Sequence, residues 1–213
     1  MKLAARWVML AAFLAFAGGV ALWPRADPAA PPSASPGAAA GRSTAPLLEV
    51  LRSRAALQPC PAATAAVGVR GPLSGLVLPC LGQPGTVDLG AALAGRPALI
   101  NLWGPLCRPC VQELPALAAY AAGPGAVPVV GVEVQQLPEG ALDLLAALNV
   151  HYPSVSDPDG RLRAALGAPP VLPLTFVVSA DGRVGQVNPP EVLRSPGQVR
   201  AVVQRYLGPG ADG

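Results

Sequence analysis

From Ala98 onward the chain alternates between short apolar runs and stretches with helical spacing. Ala98–Trp103 (ALINLW) follows Gly95 and Pro97 and is apolar almost throughout, the pattern of a central strand covered on both faces. Leu106–Ala122 places Leu114, Leu117, Ala118 and Ala121 on one helical face. Val127–Val134 (VPVVGVEV) is rich in β-branched residues and reads as a second buried strand. Gly140–Leu148 is expected to be helical and Tyr152–Val155 a short strand. The turn Asp157–Gly160 then opens a short helix over Arg161–Leu166. Thr175–Val178 and Arg183–Val187, joined at Ala180-Asp181-Gly182, read as a hairpin. Ser195–Leu207 closes the chain as an amphipathic helix, with Ser195 as its cap and Pro196 behind it. Strands alternating with helices, then a hairpin and a helix, predict an α/β fold with a mixed central β-sheet flanked by helices.

The first half is patterned differently. Lys2 and Arg6 precede an uncharged apolar run from Trp7 to Trp23. Residues 1–23 read as a membrane anchor, short for a bilayer span, with a tryptophan at each interface and the basic start on the cytoplasmic side. The alternative is a signal segment cleaved after Ala15-Phe16-Ala17, leaving a secreted protein. Either reading exports the rest of the chain. Residues 24–46 are rich in Pro, Ala, Ser and Gly without hydrophobic periodicity and are expected to be a linker. The domain is placed at residues 47–213, with its core at about 73–207 and a short helix over Leu47–Leu57 (LLEVLRSRAAL).

Composition changes this picture little. The net charge is +3, and the arginines are scattered without a basic run or interleaved aromatics, so nucleic-acid binding is not indicated. The four cysteines, Cys60, Cys80, Cys107 and Cys110, matter more, because an exported domain can hold disulfides.

The candidate chemistry sits in Asn101-Leu102-Trp103-Gly104-Pro105-Leu106-Cys107-Arg108-Pro109-Cys110, a C-x-x-C pair where a buried strand gives way to a helix. Backbone N–H groups at a helix start lack intrahelical partners and, with the helix dipole, favour a thiolate at Cys107. A lowered thiol pKa enlarges the attacking fraction and improves the leaving group. Arg108 acts in the same direction, and Pro109 stiffens the first turn. Two intervening residues bring Cys110 within reach to resolve a mixed disulfide on Cys107. Such exchange needs no metal or organic cofactor.

This stretch resembles the thioredoxin superfamily, in particular its membrane-anchored TlpA/ResA/CcmG-like thiol–disulfide oxidoreductases, and is most similar to actinobacterial members. The resemblance covers about Leu73–Leu207 and rests on Asn101-Leu102-Trp103, the Cys107/Cys110 pair, Glu113, Pro115 and Leu172-Pro173-Leu174-Thr175-Phe176. It implies a thioredoxin-like fold with a central insertion between the second strand and Pro173. Pro173 corresponds to the family's cis-proline, which would expose the Leu172 backbone beside the sulfurs for pairing with an extended substrate segment. Glu113, three residues beyond Cys110, would share its helical face and exchange a proton with it. Glu133, near the end of the second strand, is a weaker candidate for the same cavity. Asn101 stands where plain thioredoxins carry a buried aspartate, which puts more weight on Glu113. Leu106 stands where the group usually has tryptophan, so substrate preference does not carry over.

The resemblance further implies reduction of partner-protein disulfides, such as the haem-binding cysteines of apocytochrome c, with electrons from a membrane thiol carrier. Net oxidation of exported proteins is the alternative, since C-x-x-C alone does not set the direction. Cys60 and Cys80 are expected to form a structural disulfide, with a relay pair as the alternative. The rival from another class is a copper- or zinc-binding module, for which His151 is the lone histidine.

Overall fold

The computed structural model describes residues 36–63 and 71–208. The apolar run read as anchor or signal lies outside the described residues, as does most of the expected linker. Among the described residues no helix is long and apolar enough to cross a membrane. The chain divides into two compact units, Met1–Gly41 and Arg42–Gly213, and the second carries the sheet.

The first helix among the described residues, α1 (Pro36–Ala55), is longer than expected and corrects two boundaries: the linker expected through residue 46 and the helix expected only from Leu47. An alanine-rich segment has high helix propensity even where prolines suggest a break. Pro46 lies inside the helix, where a missing N–H and the ring cost about 3 kcal/mol. Burial of Leu51 and Ala55 against the core offsets that cost.

The strands form a five-stranded sheet and a two-stranded one. In the larger sheet β3 (Ala98–Trp103) is central, flanked by β4 (Val129–Glu133) in parallel and β6 (Leu174–Val178) in antiparallel. Beyond β4 lies the parallel β5 (Ser154–Ser156), and beyond β6 the antiparallel β7 (Val184–Gln186), giving the order β5-β4-β3-β6-β7. All six residues of β3 are buried. Their alternation divides them between two cores, because successive side chains of a strand point to opposite faces.

Leu99 and Trp103 pack with α3 (Arg108–Ala121), α4 (Pro138–Ala147) and α6 (Pro196–Leu207) through Leu114, Leu117, Leu142, Val199 and Val203. Ala98, Ile100 and Leu102 pack on the other side with Val130, Val132, Leu174 and Phe176. That second layer is closed by the hairpin β1 (Val77–Pro79)–β2 (Thr86–Asp88), by α2 (Leu89–Leu93) and by α5 (Arg161–Ala165). The sequence reading did not anticipate β1, β2 or α2. Each is too short for a periodic signal, and only Asp88 Oδ1 capping the Ala91 N–H marks a start.

The stretch between β4 and Pro173 holds α4, β5 and α5, the expected central insertion. Gly131 in β4 lets this edge close: a Cβ there would meet Ser154 Oγ at 2.6 Å. The hairpin β1–β2 is tied to the same edge, since Leu81 N–H donates to the Ser154 carbonyl at 2.9 Å and Cys80 pairs with Val155 in an isolated bridge. Cys60 and Cys80 are bonded, with Cα atoms 6.2 Å apart.

Replacing Cys60 and Cys80 together by alanine is expected to lower the stability of the oxidised protein by about 3 kcal/mol, as read from urea melts, through the lost loop constraint. Thiol exchange at Cys107 and Cys110 should stay at the wild-type rate. An exchange rate that falls with the disulfide would mark the pair as a relay instead.

Candidate functional site

The end of β3 builds the site. After Trp103 the chain turns through Gly104-Pro105-Leu106, a turn closed by the Cys107 N–H donating to the Gly104 carbonyl at 3.1 Å. Cys107 has extended backbone (φ −87°, ψ 98°) and is the N-cap of α3; its Sγ accepts the Cys110 N–H at 3.2 Å. A sulfur in this place takes up a donor that the helix itself cannot satisfy. Pro109 lies in the first turn, where its missing N–H costs nothing. The helix starts at Arg108, two residues later than the sequence pattern suggests, because Cys107 caps it from outside.

Cys107 and Cys110 are joined by a disulfide, S–S 2.11 Å. Their exposures differ in a way that assigns different chemistry. Cys110 is fully buried, whereas Cys107 is partly exposed, so an incoming sulfur meets Cys107 first. Leu106 beside it is 74% exposed. The peptide bond before Pro173 is cis, and Pro173 immediately precedes β6. A second cis bond, Asn188–Pro189, lies in the loop after β7 and was not anticipated.

Glu113 lies one turn beyond Cys110 on the buried side of α3 and has no exposed surface. Its two carboxylate oxygens are engaged separately: Oε2 accepts from Asn101 Nδ2 at 2.8 Å and Oε1 from the Leu193 N–H at 2.9 Å. Its pKa is raised to about 7: burial drives the rise, the two donors oppose it, and the charge of Glu191 adds a little to it. A carboxyl group titrating near neutrality, one turn from Cys110, can hold or give up a proton near pH 7.

Asn101 also donates to Thr175 Oγ1 at 3.2 Å, across the β3–β6 register that pairs Asn101 with Thr175. Asn101, Thr175 and Leu193 thus fix the carboxyl group. None of the three was assigned that task from sequence, because the contacts join β3, β6 and the loop before α6.

Glu133 is also buried, but its Oε1 accepts the N–H groups of Gln135 at 2.6 Å and Leu137 at 3.3 Å. Burial raises its pKa and these donors oppose the rise. Its observed bonds therefore serve the loop after β4 rather than a sulfur.

His151 is occupied elsewhere, with Nδ1 at 2.9 Å from the Ala55 carbonyl and Nε2 at 2.9 Å from Asn149 Oδ1. Among the described residues, no group of three or more His, Cys, Asp or Glu side chains is placed to hold a metal ion.

The raised pKa of Glu113 has a consequence for stability. Since the folded state binds this proton more tightly than the unfolded chain, the contribution is full below pH 4.5, the ordinary value, and is lost as pH rises through about 7. The loss should amount to roughly 3 kcal/mol. Glu113→Gln is expected to flatten the fall in stability over that interval, as measured by urea melts across pH. Asn101 Oδ1 has no partner among the described residues, so a flipped Asn101 amide can accept from the new Gln side chain. A variant with the wild-type pH profile would show that Glu113 titrates normally.

The model of the Redoxin family matches residues 58–202. The thiol:disulfide interchange protein DsbE of Xylella fastidiosa is 33% identical over 114 residues, 53% of this chain and 57% of that protein. The thiol-disulfide oxidoreductase ResA of Bacillus subtilis is 31% identical over 98 residues, 45% of this chain and 54% of that protein. The match thus spans a little over half the length of these curated relatives. Among solved structures, a secreted Mycobacterium tuberculosis disulfide oxidoreductase homologous to Escherichia coli DsbE is similar with a TM-score of 0.55 and 28% identity, covering 63% of this chain and 97% of that one. With the helix-capping cysteine pair, the mixed sheet and a family match over most of its length, this chain belongs to the Redoxin family and has the thioredoxin-like fold.

Proposed function

We propose that the protein is an extracytoplasmic thiol–disulfide oxidoreductase that exchanges disulfides with partner proteins through Cys107 and Cys110. The observation that carries this reading is the asymmetry of the pair: Cys107 Sγ accepts a backbone N–H at the head of α3, and Cys110 is fully buried behind it. In the reducing direction the Cys107 thiolate attacks a partner disulfide, forming a mixed disulfide and releasing the partner's other sulfur as a thiol. The Cys110 thiolate then attacks Cys107 Sγ, the second partner thiol leaves, and the Cys107–Cys110 bond of the structure is formed. Glu113 is the group to take the Cys110 proton in that second step. Leu106, Val171 and Leu137 are exposed apolar residues. Leu106 precedes Cys107, Val171 lies two residues before Pro173, and Leu137 lies on the loop held by Glu133, so they suit an extended, apolar partner segment laid beside Leu172.

Reduction of partner disulfides is the direction we favour, supported by the similarity to DsbE and ResA. The substrates would include cysteine pairs awaiting a metal or haem, as in apocytochrome c, and the electrons would come from a membrane thiol donor. Location outside the cytoplasm is supported by the apolar segment Trp7–Trp23 and by the secreted M. tuberculosis neighbour. The same segment is the proposed tether. Net oxidation is the second reading, favoured by Arg108 at the head of α3, whose positive charge next to Cys107 would stabilise the reduced thiolate.

Cys110→Ser is expected to accumulate mixed disulfides with its partners, identifiable by mass spectrometry, whereas Cys107→Ser should form none. The reduction potential of the pair decides the direction: a value near that of thioredoxin, about −270 mV, supports the reductase, and one near −120 mV the oxidant. A pair that dithiothreitol fails to open would overturn both.

A further inference from the structure

Leu106 is 74% exposed, yet its backbone N–H is not left to water. It donates to Gln135 Oε1 at 2.9 Å. Gln135 belongs to the loop between β4 and α4, and that loop is itself tied down. Glu133 Oε1 accepts the N–H groups of Gln135 and Leu137 at 2.6 and 3.3 Å, and the Val134 N–H donates to the Trp103 carbonyl at 3.0 Å. Gln136 adopts a left-handed backbone, φ 58°, between the two bonded residues. A Cβ on Gly104 would collide with both Cδ and Oε1 of Gln135, so the amide reaches this turn only because residue 104 has no side chain.

We propose that Gln135 is a positioning residue for Cys107: by holding the Leu106 N–H, it fixes the turn that presents the sulfur to the Cys110 N–H. The inference rests on Cys107 being the nucleophile. The turn Gly104–Cys107 has one internal backbone bond, from Cys107 N–H to the Gly104 carbonyl. Leu106 lies between these ends, and Gln135 anchors it from the loop that follows the neighbouring strand β4. Anchored in this way, Cys107 keeps the extended conformation from which Sγ folds back to 3.2 Å from the Cys110 N–H. That donor stabilises the thiolate more than the thiol. If the turn loosens, the sulfur spends less time at the donor and its pKa rises. The neutrality of the amide matters as well. A carboxylate here would accept the same N–H while opposing ionisation of the sulfur nearby.

The test uses the full chain, reduced, with Gln135→Met and Gln135→Glu. Methionine keeps the side-chain length and removes the acceptor. It is expected to speed exchange of the Leu106 amide and to slow alkylation of Cys107 at pH 7 by about three- to tenfold, the range that one net hydrogen bond supports. The thiol pKa, followed by thiolate absorbance, should rise in step. Glutamate should keep the amide protected while still raising the thiol pKa through its charge. Gln135→Ala, which removes the same acceptor with the smallest side chain, gives the same reading if the methionine variant folds poorly. A wild-type thiol pKa and alkylation rate in the methionine and alanine variants would overturn the inference. The exchange reading is checked separately on the unmutated protein, where an unreactive Cys107 would overturn that reading.

Discussion

The site depends on one bond that a helix cannot make for itself. The first N–H groups of α3 have no carbonyl four residues back, and the acceptor placed at Cys110 N–H is the sulfur of Cys107. A hydroxyl or carboxylate cap would satisfy the same donor. A sulfur cap, however, receives charge stabilisation where ionisation makes it reactive. The rest of the fold serves to hold that geometry. β3 is buried on both faces and paired on both edges, so its end cannot drift. The helix that follows is pressed onto the sheet through Leu114 and Leu117.

Beneath α3 the core departs from the apolar pattern, and this is a second constraint. Asn101 and Glu113 have no exposed surface, and Thr175 is buried beside them. A buried carboxyl group is costly when charged and tolerable when neutral, which is why its titration moves towards neutrality. The Asn101 and Leu193 donors limit that shift and leave a group that can change protonation near neutral pH. The loop after β7 is therefore part of the site, although it lies 80 residues from the carboxyl group it supports.

The N-terminal portion of the domain has a supporting task. α1 places Leu51 and Ala55 against the core, and Arg52 Nε donates to the Leu81 carbonyl at 3.1 Å. The Cys60–Cys80 bond and the β1–β2 hairpin secure this segment to the β5 edge. A short edge strand such as β5 gains a covalently fastened neighbour there, which also covers its free hydrogen-bonding groups.

Most of the sheet was legible in the residues themselves. ALINLW and VPVVGVEV are apolar and β-branched enough to declare buried strands, and the C-x-x-C pair stands, as expected, where β3 gives way to α3. The start of α1 was not legible, because alanine favours a helix while the prolines of Pro24–Pro46 suggest a spacer. Nor were β1, β2 and α2, which are too short to show a period. Glu113 is a candidate chiefly through the family resemblance, with its spacing from Cys110 in support. Its partners Asn101 and Leu193, the bond from Asn101 to Thr175, and the bond from Leu106 to Gln135 join residues on different strands and loops. Local sequence specifies backbone preference and side-chain chemistry over a few residues. Which acceptor meets which donor across the sheet is set by strand register and loop closure, and those exist only once the chain has folded.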